Sequence, residues 1–208
     1  MEGGNDIFVR YPYNPILKPS DWPYRVNAVF NPGAVLIDGK VLLLVRVEDR
    51  KGFSHLLPVT SDDGMTNWNI EEKYAVYPDK EAGEGEEGLE DPRIVYLPSL
   101  EEYAVTYTSF TPTGPTVFLA LTKDFKSYKR IGPLVPPEDK DASIFPKLFK
   151  NHYVLIHRPI VRGTADIWVS SSPDLRHWGH HSVLLSTRPN MWDSHRVGLG
   201  PPPTETED

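Results

Sequence analysis

Residues 84 to 97 read EGEEGLEDPRIVYL. Four glutamates and an aspartate precede a proline, an arginine and a short apolar run. A carboxylate at the mouth of a buried strand can serve as a proton donor, whereas acid on a glycine-rich loop is ordinarily solvated surface. Position along the chain separates the two readings. Asp91 enters the apolar run directly, while Glu81 to Glu87, with Gly83, Gly85 and Gly88, reads as an exposed loop. Pro92 is expected to hold Asp91 extended, and strand alternation is expected to turn Glu90 away from it. Basic groups collect at the ends of other apolar runs: Arg46 beside Glu48 after VLLLV, and His157 with Arg158 after YVLI. A lone arginine at a strand end is usually a surface ion pair. Several such groups on one rim would make an anion site.

The elements that would bring them together repeat. NPGAVLIDGKVLLLVRVE (31 to 48), DPRIVYLPSLEEYAVTYTSF (91 to 110) and FPKLFKNHYVLIHRPI (145 to 160) each open on a residue followed by proline. Each continues as an apolar strand, a polar turn and a second strand. Pro32, Pro92 and Pro146 mark the starts, and Pro202 in GLGPPP marks a possible fourth. A second element recurs in phase: SDDGMTNW, TKDFKSY and SPDLRHW. It reads as a tight turn between outer strands, with Trp68, Tyr128 or Trp178 capping the sheet. A period of roughly 50 to 60 residues with about four strands each predicts a β-propeller. The chain is therefore expected to be all-β, one domain over 1–208, with about three to four propeller blades. The first strand of each blade would line the axis, placing Asn31, Asp91 and Phe145 at a shared pocket.

Composition narrows the function. The 208 residues carry a net charge of −7, which argues against nucleic-acid binding, since that needs a basic face. There is no cysteine, so neither a disulfide frame nor a thiolate zinc site is expected. His152, His157, His177, His180, His181 and His195 lack metal-ligand spacing. No signal peptide and no membrane span is legible, which predicts a soluble, cytoplasmic protein. The unpaired strand edges of an incomplete ring would favour self-association, so a homo-oligomer is a possible state.

The ordered motifs NPGAV, LLVRVED, GLEDPRI, KDASIFP, HRP and GLGPPP resemble glycoside hydrolase family 130, the β-mannoside phosphorylases and their hydrolytic relatives, from about Asn27 to Pro203. The resemblance implies a five-bladed propeller and inverting phosphorolysis of a β-mannoside oligosaccharide to α-mannose 1-phosphate. Inorganic phosphate would be the co-substrate, and no cofactor or metal would be needed. It implies that Asp91 is the proton donor and that Arg46, Lys140, His157 and Arg158 bind phosphate, with Lys147 the alternative to Lys140. Asn31, Glu48 and Asp141 would contact sugar. Family members continue past GPPP with a further strand, so a chain that stops at TETED is expected to lack the family's last blade or more.

This chemistry is self-consistent. An inverting hydrolase needs a second carboxylate to activate water. A phosphorylase needs cations instead, because phosphate is already an anionic nucleophile. Two alternatives stand beside phosphorolysis. One is a phosphate-independent β-mannoside hydrolase using Glu48, Asp49 or Asp141. The other is an inactive carbohydrate-binding fragment. Trp22, Tyr24 and Trp192 are candidate sugar-stacking surfaces that could equally belong to the core.

Overall fold

The computed structural model describes residues 9–81 and 85–207. Twelve strands form three antiparallel four-stranded sheets. The first holds β1 (Ala28–Ile37), β2 (Lys40–Glu48), β3 (Ser54–Ser61) and β4 (Asn69–Ile70). The second holds β5 (Gly88–Leu97), β6 (Glu102–Thr111), β7 (Gly114–Thr122) and β8 (Lys129–Pro133). The third holds β9 (Asp139–Ile144), β10 (Tyr153–Pro159), β11 (Ile167–Ser172) and β12 (Gly179–Leu185). Each is a meander in chain order, and β5 packs between β1 and β9.

The expected five-bladed propeller is corrected here. The described residues form three sheets and close no ring. The predicted fourth start at Pro202 makes no strand. Its Gly-Pro-Pro-Pro run offers no N–H for a ladder over three successive residues. Residues 186 to 207 run instead as an irregular strap, held by a parallel bridge between Ala165 and Arg196.

Apolar seams join the sheets. Leu44, Leu56, Leu89, Ile94, Tyr107 and Phe118 fill the space between the first and second sheets. Leu97, Leu119, Leu121, Ile144, Tyr153 and Leu155 fill that between the second and third. The outer face of the first sheet is covered by the segment carrying Ile16, Leu17, Trp22 and Tyr24, packed on Val45, Leu57 and Val59.

The in-phase aspartates build the connectors between third and fourth strands. Asp63 Oδ1 accepts the amides of Met65 and Thr66, Asp124 Oδ1 those of Lys126 and Ser127, and Asp174 Oδ1 those of Arg176 and His177. The aromatic closes each turn. Trp68 and Trp178 donate Nε1–H, and Tyr128 its hydroxyl, to the carbonyls of Met65, Leu175 and Phe125.

The acidic loop differs from expectation. Gly83 and Glu84 lie outside the described residues. Glu86 is fully buried rather than solvated. It pairs with Arg130, accepts the Tyr107 hydroxyl at 2.8 Å and accepts the Asp79 amide at 2.8 Å. A carboxylate buried on this scale persists only when its lone pairs are satisfied.

A second polar contact lies in the first sheet. His55 is buried, shares a hydrogen bond between its Nε2 and the Tyr24 hydroxyl at 2.7 Å and stacks on Tyr77 with ring centroids 4.9 Å apart. Burial holds His55 below its usual 6.5, with Asp49 opposing, and pushes the Tyr24 phenol up to about 12. A histidine depressed on folding contributes stability that is complete above 6.5 and lost as the pH falls through its folded value. Urea midpoints should therefore decline from pH 7 to pH 5, and His55→Phe should flatten that decline. An unchanged slope in the variant would remove His55 as the cause.

Candidate functional site

The site is built on one irregularity used three times. In β5, Glu90 pairs with Thr108 and Arg93 with Thr106, so Asp91 and Pro92 together oppose Tyr107. In β1, Asn31 and Pro32 oppose Val45 in the same way, and in β9 Asp141 and Ala142 oppose His157. These are β-bulges, which suit a proline because the ladder is already interrupted. Asn31, Asp91 and Asp141 all take left-handed backbone, with φ of 45°, 50° and 50°. Asn and Asp tolerate this region because a short polar side chain can hydrogen-bond locally.

Two sequence expectations change as a result. Asp91 is not extended, because the bulge outweighs the bias that Pro92 imposes. The third repeat is also shifted: Asp141 is the counterpart of Asn31 and Asp91, whereas Phe145 and Pro146 follow β9. Gly33 lets β1 and β5 approach, since a Cβ there would lie 2.9 Å from the Pro92 carbonyl.

Asn31, Asp91 and Asp141 line one cavity of about 460 Å³, with Arg93, Gly200, Pro201 and Pro202 on its wall. Asp91 Oδ1 accepts from Asn31 Nδ2 and from Arg46 Nη1, each at 3.0 Å. Its Oδ2 has no hydrogen-bond partner among the described residues. Arg46 is held on three further sides. It donates from Nη2 to Glu90 Oε1 at 2.6 Å and from Nε to Ser54 Oγ at 3.0 Å, and it lies over the Phe30 ring at 4.4 Å. The bulge explains why adjacent Glu90 and Asp91 reach the same guanidinium, against simple alternation. Lys140 donates to the other oxygen of Glu90 at 3.0 Å.

The remaining candidates occupy distinct places. Arg158 pairs with Asp141 Oδ2 at 3.1 Å, and its buried Nε has no partner among the described residues. His157 is buried with both ring nitrogens engaged: Nδ1 with Asp139 Oδ2 at 2.5 Å and Nε2 with Ser170 Oγ at 2.7 Å. Asp139 Oδ1 also accepts the Arg158 amide at 3.0 Å, so His157 reaches the site through Asp139. Burial raises the Asp139 carboxyl above its usual range, and the hydrogen bond and charge of His157 oppose it. Glu48 accepts from Asn27 at 2.6 Å and lies 3.9 Å from Arg46. Lys147 pairs with Glu205, away from Glu90. Trp22 is in the core, Tyr24 bonds His55, and Trp192 is exposed; none lines the cavity.

Sequence reasoning missed Glu90, Ser54, Asp139 and the strap. Only the bulge reveals Glu90, and only pairing between β2 and β3 reveals Ser54. Arg93 donates from Nε to the Gly200 carbonyl at 2.7 Å and ties the strap to β5. Within the described residues, no group of three metal-ligating side chains is present, and no helix is long and apolar enough to cross a membrane.

The geometry has counterparts among known proteins. Residues 5–208 match the glycoside hydrolase family 130 model, described as β-1,4-mannooligosaccharide phosphorylase. The chain is 30% identical to a β-1,2-mannobiose phosphorylase of Listeria innocua, over 96% of this chain and 72% of that protein. It is 33% identical to a 1,2-β-oligomannan phosphorylase of Thermoanaerobacter sp., over 93% of this chain and 66% of that protein. It thus spans about two thirds of the length of these relatives. The solved Listeria innocua β-1,2-mannobiose phosphorylase, in complex with β-1,2-mannobiose, superposes with a TM-score of 0.84 at 28% identity, covering 95% of this chain and 72% of that one. A structure from work on family 130 hydrolases that target β-1,2 mannosidic linkages in Candida mannan gives 0.74 at 25% identity, covering 93% and 65%.

The strap packs at Gly198 against the Asp141–Arg158 pair. A Cβ there would lie 2.9 Å from Asp141 Oδ2 and 3.2 Å from Arg158 Nη1, whereas one at Gly200 would meet nothing within 4 Å. Gly198→Ala is expected to destabilise by about 1–3 kcal/mol, a fall of roughly 2–10 °C in thermal midpoint. Gly200→Ala should stay within about one degree. Equal midpoints for the two variants would show that the strap yields freely.

Proposed function

Because the chain belongs to glycoside hydrolase family 130, we propose that it performs inverting phosphorolysis of β-linked mannosides, with Asp91 as the proton donor. The observation that carries this reading is the asymmetry of the Asp91 carboxyl at the cavity. Asn31 and Arg46 occupy Oδ1, which leaves Oδ2 to carry the transferred proton. Asp91 protonates the glycosidic oxygen while a phosphate oxygen attacks the anomeric carbon from the opposite face. The bond from carbon to the leaving oxygen breaks, a carbon–oxygen bond to phosphate forms, and α-mannose 1-phosphate and a shortened sugar result. Phosphate is a co-substrate, and no cofactor enters the reaction.

Arg46, Lys140 and Arg158 supply the cations that hold phosphate. His157 supports the same site by orienting Asp139, which anchors the Arg158 backbone. Asn31 and Asp141, as cavity walls, contact the mannose, with Glu48 steadying Arg46 behind them. The relatives named for β-1,2 and β-1,4 linkages make both the natural candidates for cleavage.

A hydrolytic reading has one observation in its favour: Arg46, Lys140 and Arg158 are each already paired with a carboxylate. Incubating the protein with β-1,2- and β-1,4-mannobiose, with and without phosphate, separates the two. Mannose 1-phosphate that appears only with phosphate is the expected outcome. Free mannose at equal rates in both conditions would establish hydrolysis, and no turnover in either would remove both enzymatic readings.

Asp91→Asn keeps the shape of the side chain but has no proton to give. Its kcat/KM on mannobiose should fall about 10²–10⁴-fold, with synthesis from mannose 1-phosphate falling equally, since the same group is then the base. Glu87→Gln should stay within about twofold. Full activity of Asp91→Asn would take the residue out of the mechanism.

A further inference from the structure

Glu90 is a nearly buried carboxylate that neither donates the proton nor lines the cavity. Its side chain is 11% exposed and spends its two oxygens on two different cations. Oε1 accepts from Arg46 Nη2 at 2.6 Å, and Oε2 accepts from Lys140 Nζ at 3.0 Å. Arg46 comes from β2 of the first sheet, Lys140 from β9 of the third, and Glu90 from β5 between them. One carboxylate therefore spans all three sheets.

We propose that Glu90 is a positioning residue for phosphate, setting the separation of Arg46 and Lys140 so that one anion can engage both. The proposal rests on the phosphorolytic reading and adds the group that arranges its cations.

Arg46 carries five N–H groups and Lys140 three. Ser54, Asp91 and Glu90 engage one each on Arg46, and Glu90 engages one on Lys140. The others have no hydrogen-bond partner among the described residues. Each cation is also backed by an aromatic ring: Phe30 lies 4.4 Å from the Arg46 guanidinium and Phe110 5.2 Å from Lys140 Nζ. Two like charges drawn together across a sheet boundary repel unless a carboxylate lies between them. Without Glu90 the free donors would no longer share one target. Asp91 cannot replace it, because its Oδ1 is occupied and Lys140 has no contact with it.

Glu90→Gln keeps the length but offers one acceptor, and its amide N–H group faces the second cation, so one arm of the clamp opens. Glu90→Asp keeps the charge but is one methylene short of spanning both. Lys140→Met removes one cation outright and sets the loss against which the two Glu90 variants are judged, and either of these alone decides the proposal should the other fail to fold.

Inorganic phosphate binding is measured by calorimetric titration, and KM for phosphate and for mannobiose by steady-state turnover. In each variant the phosphate Kd and KM should rise about ten- to a hundredfold, the scale of one charge-assisted contact, while the mannobiose KM stays within about threefold. An unchanged phosphate Kd, a tighter one in Glu90→Gln, or equal loss for phosphate and mannobiose would overturn the proposal. A wild-type chain that binds phosphate but does not turn over would end the phosphorolytic reading while leaving the clamp to be judged by the ratio of Kd values. A wild-type chain that binds no phosphate would overturn the clamp itself.

Discussion

Arg46 is the constraint around which the site is organised. Its guanidinium bonds two successive residues of the neighbouring sheet, Glu90 and Asp91, and a hydroxyl of its own sheet, Ser54. A planar fork with fixed donor directions demands acceptors in fixed places. Two adjacent strand residues ordinarily point to opposite faces, so they can meet one arginine only where the strand is bulged. The Asp91–Pro92 bulge thus follows from the same requirement that holds Arg46 still. Its cost in backbone strain is offset by charge-assisted hydrogen bonds to a part-buried arginine.

The same device appears once per sheet, with a different outcome each time. The left-handed residue is Asn31 in β1, Asp91 in β5 and Asp141 in β9. The residues opposite the ladder positions just before the bulges are Arg46, Thr108 and Arg158. Two of the three sheets therefore carry an arginine where the middle sheet carries a threonine. Arg158 meets the aspartate of its own sheet, whereas Arg46 reaches across to the next. A repeated backbone supplies equivalent positions, and the side chains placed there divide the work between acid, cation and sugar contact.

Around this centre the polar network is layered. Asp139, His157 and Ser170 form a buried chain behind Arg158. The strap forms one wall of the cavity through Gly200, Pro201 and Pro202, with Arg93 bonded to the Gly200 carbonyl and Gly198 set against Asp141. Far from the cavity, Glu86 satisfies its burial with Arg130 and Tyr107. It shows that acid near a functional motif can be structural.

Legible along the chain alone were the strand-and-turn repeat, the all-β class, the connectors built on Asp63, Asp124 and Asp174, and the ordered motifs of family 130. These rest on local signals: alternation of apolar residues, turn chemistry and short ordered motifs act over a few residues and survive in one dimension. The packed fold was needed to show how many sheets the described residues form, that Asp141 and not Phe145 completes the trio of bulges, that Glu90 and Asp91 share Arg46, and that His157 is spent on Asp139 and Ser170. Each of these depends on which residue lies opposite which across a ladder or between sheets. One extra residue in a strand turns the side chains that follow to the other face, and no single-strand pattern records where that residue falls.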